Sequence, residues 1–342
     1  MTKKPLCLVI ADVHISKENC VFVEETIIPQ LIQKCKDLKV NFICVIGDWF
    51  TSRAGQHLSV QSSMLRIKAE LRRAGIYVYN IPGNHDKTDL NAEESYLDVF
   101  KDNFFNVVEC SYICFENTFL YMLPYYKEDG EYLNKLHKLK EELLVSSLKE
   151  GNKNVLLTHI AFSGVKNNDG LGVENNLTKD LVKEFDKVFV GHYHERSNIG
   201  ENIHYIGSTY SANFGESNDK GGIVLYDDAS FDYFELQFPQ YIKLEISVDD
   251  MDMESIDLLR EVKEEGNNVR VIVKGSGEKL KVFDKKYLDD IGIDCKLEAN
   301  NVERVEVENS FKIHSIESIV DEFKGFCKDG DFDFKNGVEY FK

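Results

Sequence analysis

Five short stretches hold the residue types that could do chemistry: Asp12-Val13-His14, Gly47-Asp48, Gly83-Asn84-His85-Asp86, Thr158-His159 and Gly191-His192-Tyr193-His194. Each follows an apolar run that reads as a buried strand: Leu6 to Ala11, Asn41 to Ile46, Ile76 to Ile81, Asn154 to Leu157 and Lys187 to Val190. Alone, an Asn-His-Asp or an Asp-x-His is a polar turn, the base expectation for a loop. Recurrence at five strand ends is not what a turn explains, and five of the nine histidines fall there: His14, His85, His159, His192 and His194. Successive strand residues point opposite ways, so Asn84, His85 and Asp86 cannot share a strand face. They can converge on the loop that Pro82 and Gly83 begin. Asp12 and His14, two apart, share a side, as do His192 and His194.

Pooled, these stretches offer three carboxylates (Asp12, Asp48, Asp86), one amide (Asn84) and five imidazoles. Mixed oxygen and nitrogen ligation suits Mn²⁺, Fe²⁺ or Zn²⁺ rather than Mg²⁺ or Ca²⁺. The set is too large for one ion. Two ions ~3.5–4 Å apart, bridged by one carboxylate, would use it, activating a water and clamping both oxygens of a phosphoryl transfer. The sequence has no P-loop, dinucleotide turn or G-x-S-x-G elbow. Arg53, just after Gly47-Asp48, reads as a solvated loop charge or a phosphate contact. His137 reads as a surface histidine and His204 as a core or edge one, since neither has a partner at ligand spacing.

The elements that must position these residues alternate strand, helix, strand. Val23, Ile27, Leu31 and Leu38 mark a helix that Pro29 disturbs, and Leu58 to Arg73 a second that stops at Gly75. This alternation implies a mainly parallel sheet, in which ligands bind beyond the carboxyl ends of the strands. Glu128 to Lys149 reads as a surface helix, and Ser163 to Asn176 as a long polar loop. A β-rich run from Ile203 to Phe238 closes a first domain, and Pro239 marks a boundary. Beyond it a strand (Ile242 to Val248), a helix (Met253 to Glu264) and a strand (Val269 to Val273) predict a small α+β domain without a chemical motif. A last amphipathic helix carries Ile316, Ile319, Val320 and Phe323.

Net charge is −18, and residues 241–342, with 16 Lys and Arg against 25 Asp and Glu, contribute half of it. That argues against DNA binding through a broad basic field, though not against ions that attract phosphate locally or a partner that supplies basic surface. Eight scattered cysteines without a CxxC fit a reduced compartment, and no apolar run is long enough to cross a bilayer. Lys3 and Lys4 ahead of Leu6 mimic a secretory leader, but Asp12 interrupts the apolar run; a cytoplasmic protein is expected.

In order, the five stretches resemble the five motifs of calcineurin-like binuclear metallophosphoesterases, over residues 6 to about 195. The resemblance implies an α/β fold, a two-sheet α/β/β/α sandwich with a small α+β capping domain. It implies Asp12, His14, Asp48 and His194 around one metal, and Asp48, Asn84, His159 and His192 around the other. His85 would serve the leaving oxygen or the phosphate, and Asp86 would orient His85. Protein phosphatases of the superfamily usually show G-D-x-x-D-R-G and G-N-H-E, which this chain lacks. Tyr205-Ile206-Gly207-Ser208, Phe214-Gly215-Glu216 and Lys220-Gly221 look instead like SbcD-type DNA exonuclease subunits, and the chain length like their phage recombination counterparts. That similarity implies a nuclease domain over 1–239, a DNA-capping domain over 240–309, and an ATPase-docking segment over 310–342, short here. It also implies a homodimer with an SbcC-like coiled-coil ATPase, degrading DNA from 3′ ends and cutting single strands with two ions, Mn²⁺ preferred. Thr51 stands where many members carry His or Asp, which bears on the exonuclease–endonuclease balance. A general phosphodiesterase and a non-catalytic recruiter are the competing readings, the latter disfavoured by the full ligand set.

Overall fold

The computed structural model describes residues 3–108, 110–127, 130–141 and 151–299. Two six-stranded sheets face each other. The first runs β12-β11-β1-β2-β3-β4, built from β1 (Pro5–Ile10), β2 (Phe42–Ile46), β3 (Tyr77–Ile81), β4 (Phe105–Val107), β11 (Gly221–Tyr226) and β12 (Phe231–Glu235). The second runs β5-β6-β7-β8-β10-β9, from β5 (Ser111–Phe115), β6 (Thr118–Leu123), β7 (Lys153–His159), β8 (Lys187–Gly191), β9 (Ser197–Ile199) and β10 (Ile203–Tyr205). In each, four parallel strands are extended by antiparallel ones, β11 and β12 in the first sheet and β5 and β9 in the second. The single parallel sheet that strand alternation alone suggests is thus two mixed sheets, as the family resemblance implies. Their apolar runs look alike locally, and nothing in a run says which sheet it joins.

The strands read as continuous apolar runs because both faces are covered. Leu8 and Ile10 of β1, with Ile43 and Val45 of β2, face the helices. Cys7, Val9, Cys44 and Ile46, with Val155, Leu157 and Phe189 of the second sheet, fill the space between the sheets. Leu156, Val188 and Val190 face outward onto Tyr132 and Leu136 of helix α3 (Glu131–Leu139). The order of layers is α/β/β/α.

Helix α1 is continuous through Cys20–Phe22, a π-helical Val23–Ile27, and Ile28–Leu38. Pro29 sits in the first turn after the π segment, where its missing N–H is accommodated by the widened helix. Helix α2 (Leu58–Arg73) ends before Gly75, whose φ of +73° turns the chain into β3. Helix α3 is described only through residue 141, so the rest of the predicted Glu128–Lys149 helix lies outside the described residues.

After Phe238, which still packs into the first core, a three-stranded parallel sheet begins. Its strands are β13 (Tyr241–Ser247), β14 (Asn268–Gly275) and β15 (Asp294–Ala299). Helices α4 (Met253–Glu264), α5 (Gly277–Val282) and α6 (Lys286–Asp290) accompany it. Val269, Val271 and Val273 alternate inward against Ile256, Leu259, Leu280 and Leu288, a separate apolar core. The predicted helix around Ile316 to Phe323 and the docking segment 310–342 lie outside the described residues. Among the described residues no helix is long and apolar enough to cross a membrane.

Candidate metal centre

Beyond β1 and β2 the chain keeps pairing: Asp12 N–H donates to Gly47 O (3.0 Å), His14 N–H to Asp48 O (3.0 Å) and Ile15 N–H to Trp49 O (2.7 Å). The turn out of each strand forces unusual backbone. Asp12, His14, Asp48 and His192 have φ of 53°, 47°, 55° and 89°, a left-handed region that non-glycine residues enter at a cost of about 1–3 kcal/mol each. Glycine supplies the clearance. A side chain on Gly47 (φ +94°) would run into the His159 imidazole, and one on Gly83 into the Asp48 carboxylate. These overlaps explain the Gly-Asp and Gly-Asn-His pairings of the sequence.

The ends of β1, β2, β3, β7 and β8 therefore converge. Asp12, His14 and His194 place one ligand atom each within 4.8 Å of one another, and so do Asp48, His159 and His192. The Nε2 atoms of His14 and His194 are 3.0 Å apart, and His14 Nε2 is 3.7 Å from Asp12 Oδ1. Asp48 Oδ2 stands between the clusters, 3.2 Å from His159 Nε2 and 3.8 Å from His14 Nε2. Asn84 completes the second cluster. Its amide oxygen lies 3.1 Å from His159 Nε2 and 2.9 Å from His192 Nδ1. Turned over, the amide nitrogen takes that place and the oxygen accepts from the Arg53 guanidinium. A cation among these atoms selects the first orientation, because only the oxygen can ligate.

The donors fit two divalent ions, on the chemistry of the set and on the far nitrogens of the histidines. His159 Nδ1–H donates to Ile46 O (2.9 Å) and His194 Nδ1–H to Glu216 Oε1 (3.0 Å), which leaves each Nε2 a lone pair toward the cluster. Burial works against the charge of Asp48, but the imidazoles of His159 and His14 outweigh it and hold its carboxyl well below the usual range. Burial likewise opposes a charged His159, yet Asp48 lifts it to about 9. Burial and the neighbouring His159 push His192 down to about 4.

The two catalytic candidates part company. His85, half-buried at the cleft, gives its Nδ1–H to Thr51 O (2.6 Å), and burial holds its pKa below the ordinary value. Asp86 does not orient His85 as expected. Its carboxylate is fully buried and accepts from Phe50 N–H (3.1 Å) and Gly83 N–H (2.9 Å), tying the β2 loop to the β3 loop. Burial, with Asp48 nearby, raises Asp86 to about 7. Thr51 takes the orienting role through its carbonyl, a function no side-chain pattern announces. Arg53 is exposed at the same cleft. His137 is exposed, and His204 is buried between Asn198 and Lys187.

Other supports lie away from the motifs. Asn168 Oδ1 accepts from His194 N–H (2.9 Å), and Tyr125 stacks on His192 with centroids 6.0 Å apart. Lys87, 1% exposed, donates to the carbonyls of Ala92 and Tyr125 (both 2.8 Å) and so fixes the loop that carries Tyr125. Of these supports only Glu216 was flagged by sequence, within Phe214-Gly215-Glu216. The cleft above the ligands encloses about 900 Å³ and extends to Tyr241 and Asn268 of the small domain.

The chain is 25% identical over 291 residues to the provisionally named phosphoesterase 244L of Invertebrate iridescent virus 6, covering 81% of this chain and 96% of that one. Among solved structures, a dimetal phosphatase from Danio rerio matches 60% of this chain and 88% of its own at 11% identity and a TM-score of 0.37. The calcineurin-like phosphoesterase YfkN of Bacillus subtilis matches 68% and 91% at 15% identity and a TM-score of 0.34. Nuclease MPE of Pseudomonas putida matches 49% and 66% at 14% identity and a TM-score of 0.27. The family of calcineurin-like phosphoesterases matches residues 6–196, more than half of the 342, and the chain belongs to it as a metal-dependent phosphoesterase.

Proposed function

We propose that the chain is a Mn²⁺-dependent DNA nuclease that removes nucleotides from 3′ ends of duplex DNA and cuts single strands. It would act in recombination or repair as a homodimer beside an SbcC-like coiled-coil ATPase. The observation that carries the reading is Asp48 standing between two histidine-rich clusters at the floor of an open cleft. The mixed donors favour Mn²⁺ over Mg²⁺. The stretches that resemble SbcD-type subunits support DNA as substrate, since Glu216, within one of them, lines that cleft.

Two divalent ions, when bound, supply Lewis acidity and an activated water. Asp12, His14 and His194 would hold one, Asn84, His159 and His192 the other, with Asp48 shared. With its Nδ1–H on Thr51 O, His85 keeps Nε2 for the substrate. An arriving phosphate favours the imidazolium, and Nε2–H then protonates the leaving oxygen. Arg53, released by Asn84 when the amide turns to an ion, would pair with a phosphate oxygen.

The second reading is a phosphodiesterase for small substrates. It is favoured by Arg53 being the one Lys or Arg among the described residues that line the cleft, in a chain of net charge −18. End-labelled duplex DNA incubated with the purified chain and Mn²⁺ or Mg²⁺ separates the two. Mn²⁺-dependent loss from 3′ ends, absent in Asp48→Ala, is the expected result. Hydrolysis of nitrophenyl phosphodiesters with DNA left intact would sink the nuclease reading.

A further inference from the structure

We propose that the loop 211–220 couples the small α+β domain to the ion position that contains His194, with Glu216 as its positioning residue. This rests on the two-ion reading of the site. Glu216 Oε1 accepts from His194 Nδ1–H (3.0 Å), and the carboxylate is held from the other side by Asn213 Nδ2 (2.7 Å) and Ala212 N–H (3.1 Å). Lys220, 1% exposed, donates to His194 O and to Glu195 Oε1 (2.9 Å), while Glu195 accepts from Ser217 N–H (2.8 Å). The loop and the His194 segment are one hydrogen-bonded unit.

The same loop grips the small domain. Asn218 makes reciprocal bonds with the Tyr241 backbone, accepting from its N–H (3.1 Å) and donating to its carbonyl (3.3 Å). Phe214 packs edge-on to the Tyr241 ring (centroids 5.1 Å) and under the Arg270 guanidinium (4.2 Å). Arg270 is itself paired with Asp294 of β15 (2.5 Å). All three strands of the small sheet therefore reach His194 through about ten residues. A tilt of that sheet moves Asn218 and Phe214, displaces Glu216, and turns the His194 ring. Among the described residues the His159 side has no such tether, since its far nitrogen is held by a backbone carbonyl of β2. Whatever engages the small domain would thus be read as affinity at one ion position and not the other.

Mn²⁺ titration of the full chain, by calorimetry with electron paramagnetic resonance of bound Mn²⁺, tests this beside Glu216→Gln, Asn218→Ala and Arg270→Ala. Wild type takes up two ions. Glu216→Gln weakens one of them about 10–100-fold and leaves the other unchanged. Asn218→Ala and Arg270→Ala, which touch no candidate ligand, weaken the same ion by roughly 5-fold or more. Melting curves taken in parallel identify folded variants, and the two remote substitutions lie on opposite sides of the contact, so one serves if the other unfolds. Fewer than two ions in wild type overturns the two-ion reading. Two ions in wild type, with Asn218→Ala and Arg270→Ala folded and unchanged in affinity, overturns the coupling alone.

Discussion

The two candidate ion positions share Asp48 but are supported by different material. The inner one, with His159, His192 and Asn84, is backed by the sandwich. His159 is fully buried at the end of β7, and its far nitrogen is fixed by Ile46 O of β2, a group no substitution can remove. The outer one, with Asp12, His14 and His194, is backed on its His194 side by loop side chains: Glu216, Asn168 and Lys220. At one position a strand carbonyl fixes His159 and Tyr125 stacks on His192, and a loop tied to a second domain holds part of the other. The difference teaches that neighbouring ligand clusters can rest on supports of different kinds.

The strongest way to break this comparison is to remove what both positions share. Asp48→Asn takes away the charge that stands between the clusters, and several kcal/mol of ion stabilisation corresponds to at least ~10³-fold in rate. Both ions should be lost together in a Mn²⁺ titration. Loss of only one would show that Asp48 does not bridge.

His85→Ala probes the opposite case, a residue belonging to neither cluster. Its ring is held by Thr51 O and touches His14 only edge-on, with centroids 5.0 Å apart. Phosphodiester cleavage should fall about 10²–10⁴-fold, with both ions still bound at wild-type affinity. Undiminished turnover would remove His85 from the chemistry.

Gly47→Ala sharpens the distinction between the positions. The added carbon would meet the His159 ring, and φ of +94° strains any side chain. The expected result is a loss of about 1–3 kcal/mol in stability together with selective weakening of the inner ion. Equal weakening of both ions would indicate that the strand ends move as a block.

How much of this was legible in the sequence follows the same division. The inner support was visible because β2, β3, β7 and β8 are largely buried on both faces, so apolar runs ended abruptly before Asp48, Asn84, His159 and His192. The glycines before Asp48, Asn84 and His192 were visible too, and the structure shows which overlaps they avoid. The outer support showed only as the stretches Phe214-Gly215-Glu216 and Lys220-Gly221, with no role attached to either residue. Glu216 lies 22 positions beyond His194, Asn168 sits in a polar loop, and Thr51 acts through its backbone. None of these leaves a periodic trace. Asp86 was misplaced for a related reason. Adjacency to His85 suggested contact, but at a strand end consecutive side chains diverge, and its carboxylate turns inward to Phe50 and Gly83. The division into two sheets came from the family resemblance, since β1–β3 and β6–β8 have interchangeable patterns.

The smallest expected effect concerns β10, the neighbour of the strand that delivers His192 and His194. His204 lies there, 8% exposed, with Nδ1 on Asn198 (2.7 Å) and Nε2 3.3 Å from the Lys187 ammonium. Burial, with Lys187 beside it, pushes the imidazole down to about 4. Between that value and the ordinary one near 6.5 the unfolded chain binds a proton that the folded chain refuses. The stability that His204 gives in neutral form is therefore complete above about pH 6.5 and is lost as pH falls toward 4. His204→Gln cannot titrate, so its melting temperature should drop less between pH 7.5 and pH 5 than that of wild type. Because β10 adjoins β8 rather than β2, the acid loss should accompany weakening of the second sheet before the first. Tryptophan fluorescence reports the first sheet's side, since Trp49, the chain's single tryptophan, is buried there against Phe105. Amide exchange of β8 and β10 reports the second. If mild acid changes the Trp49 signal as early as it deprotects β10, His204 is not the acid-sensitive point.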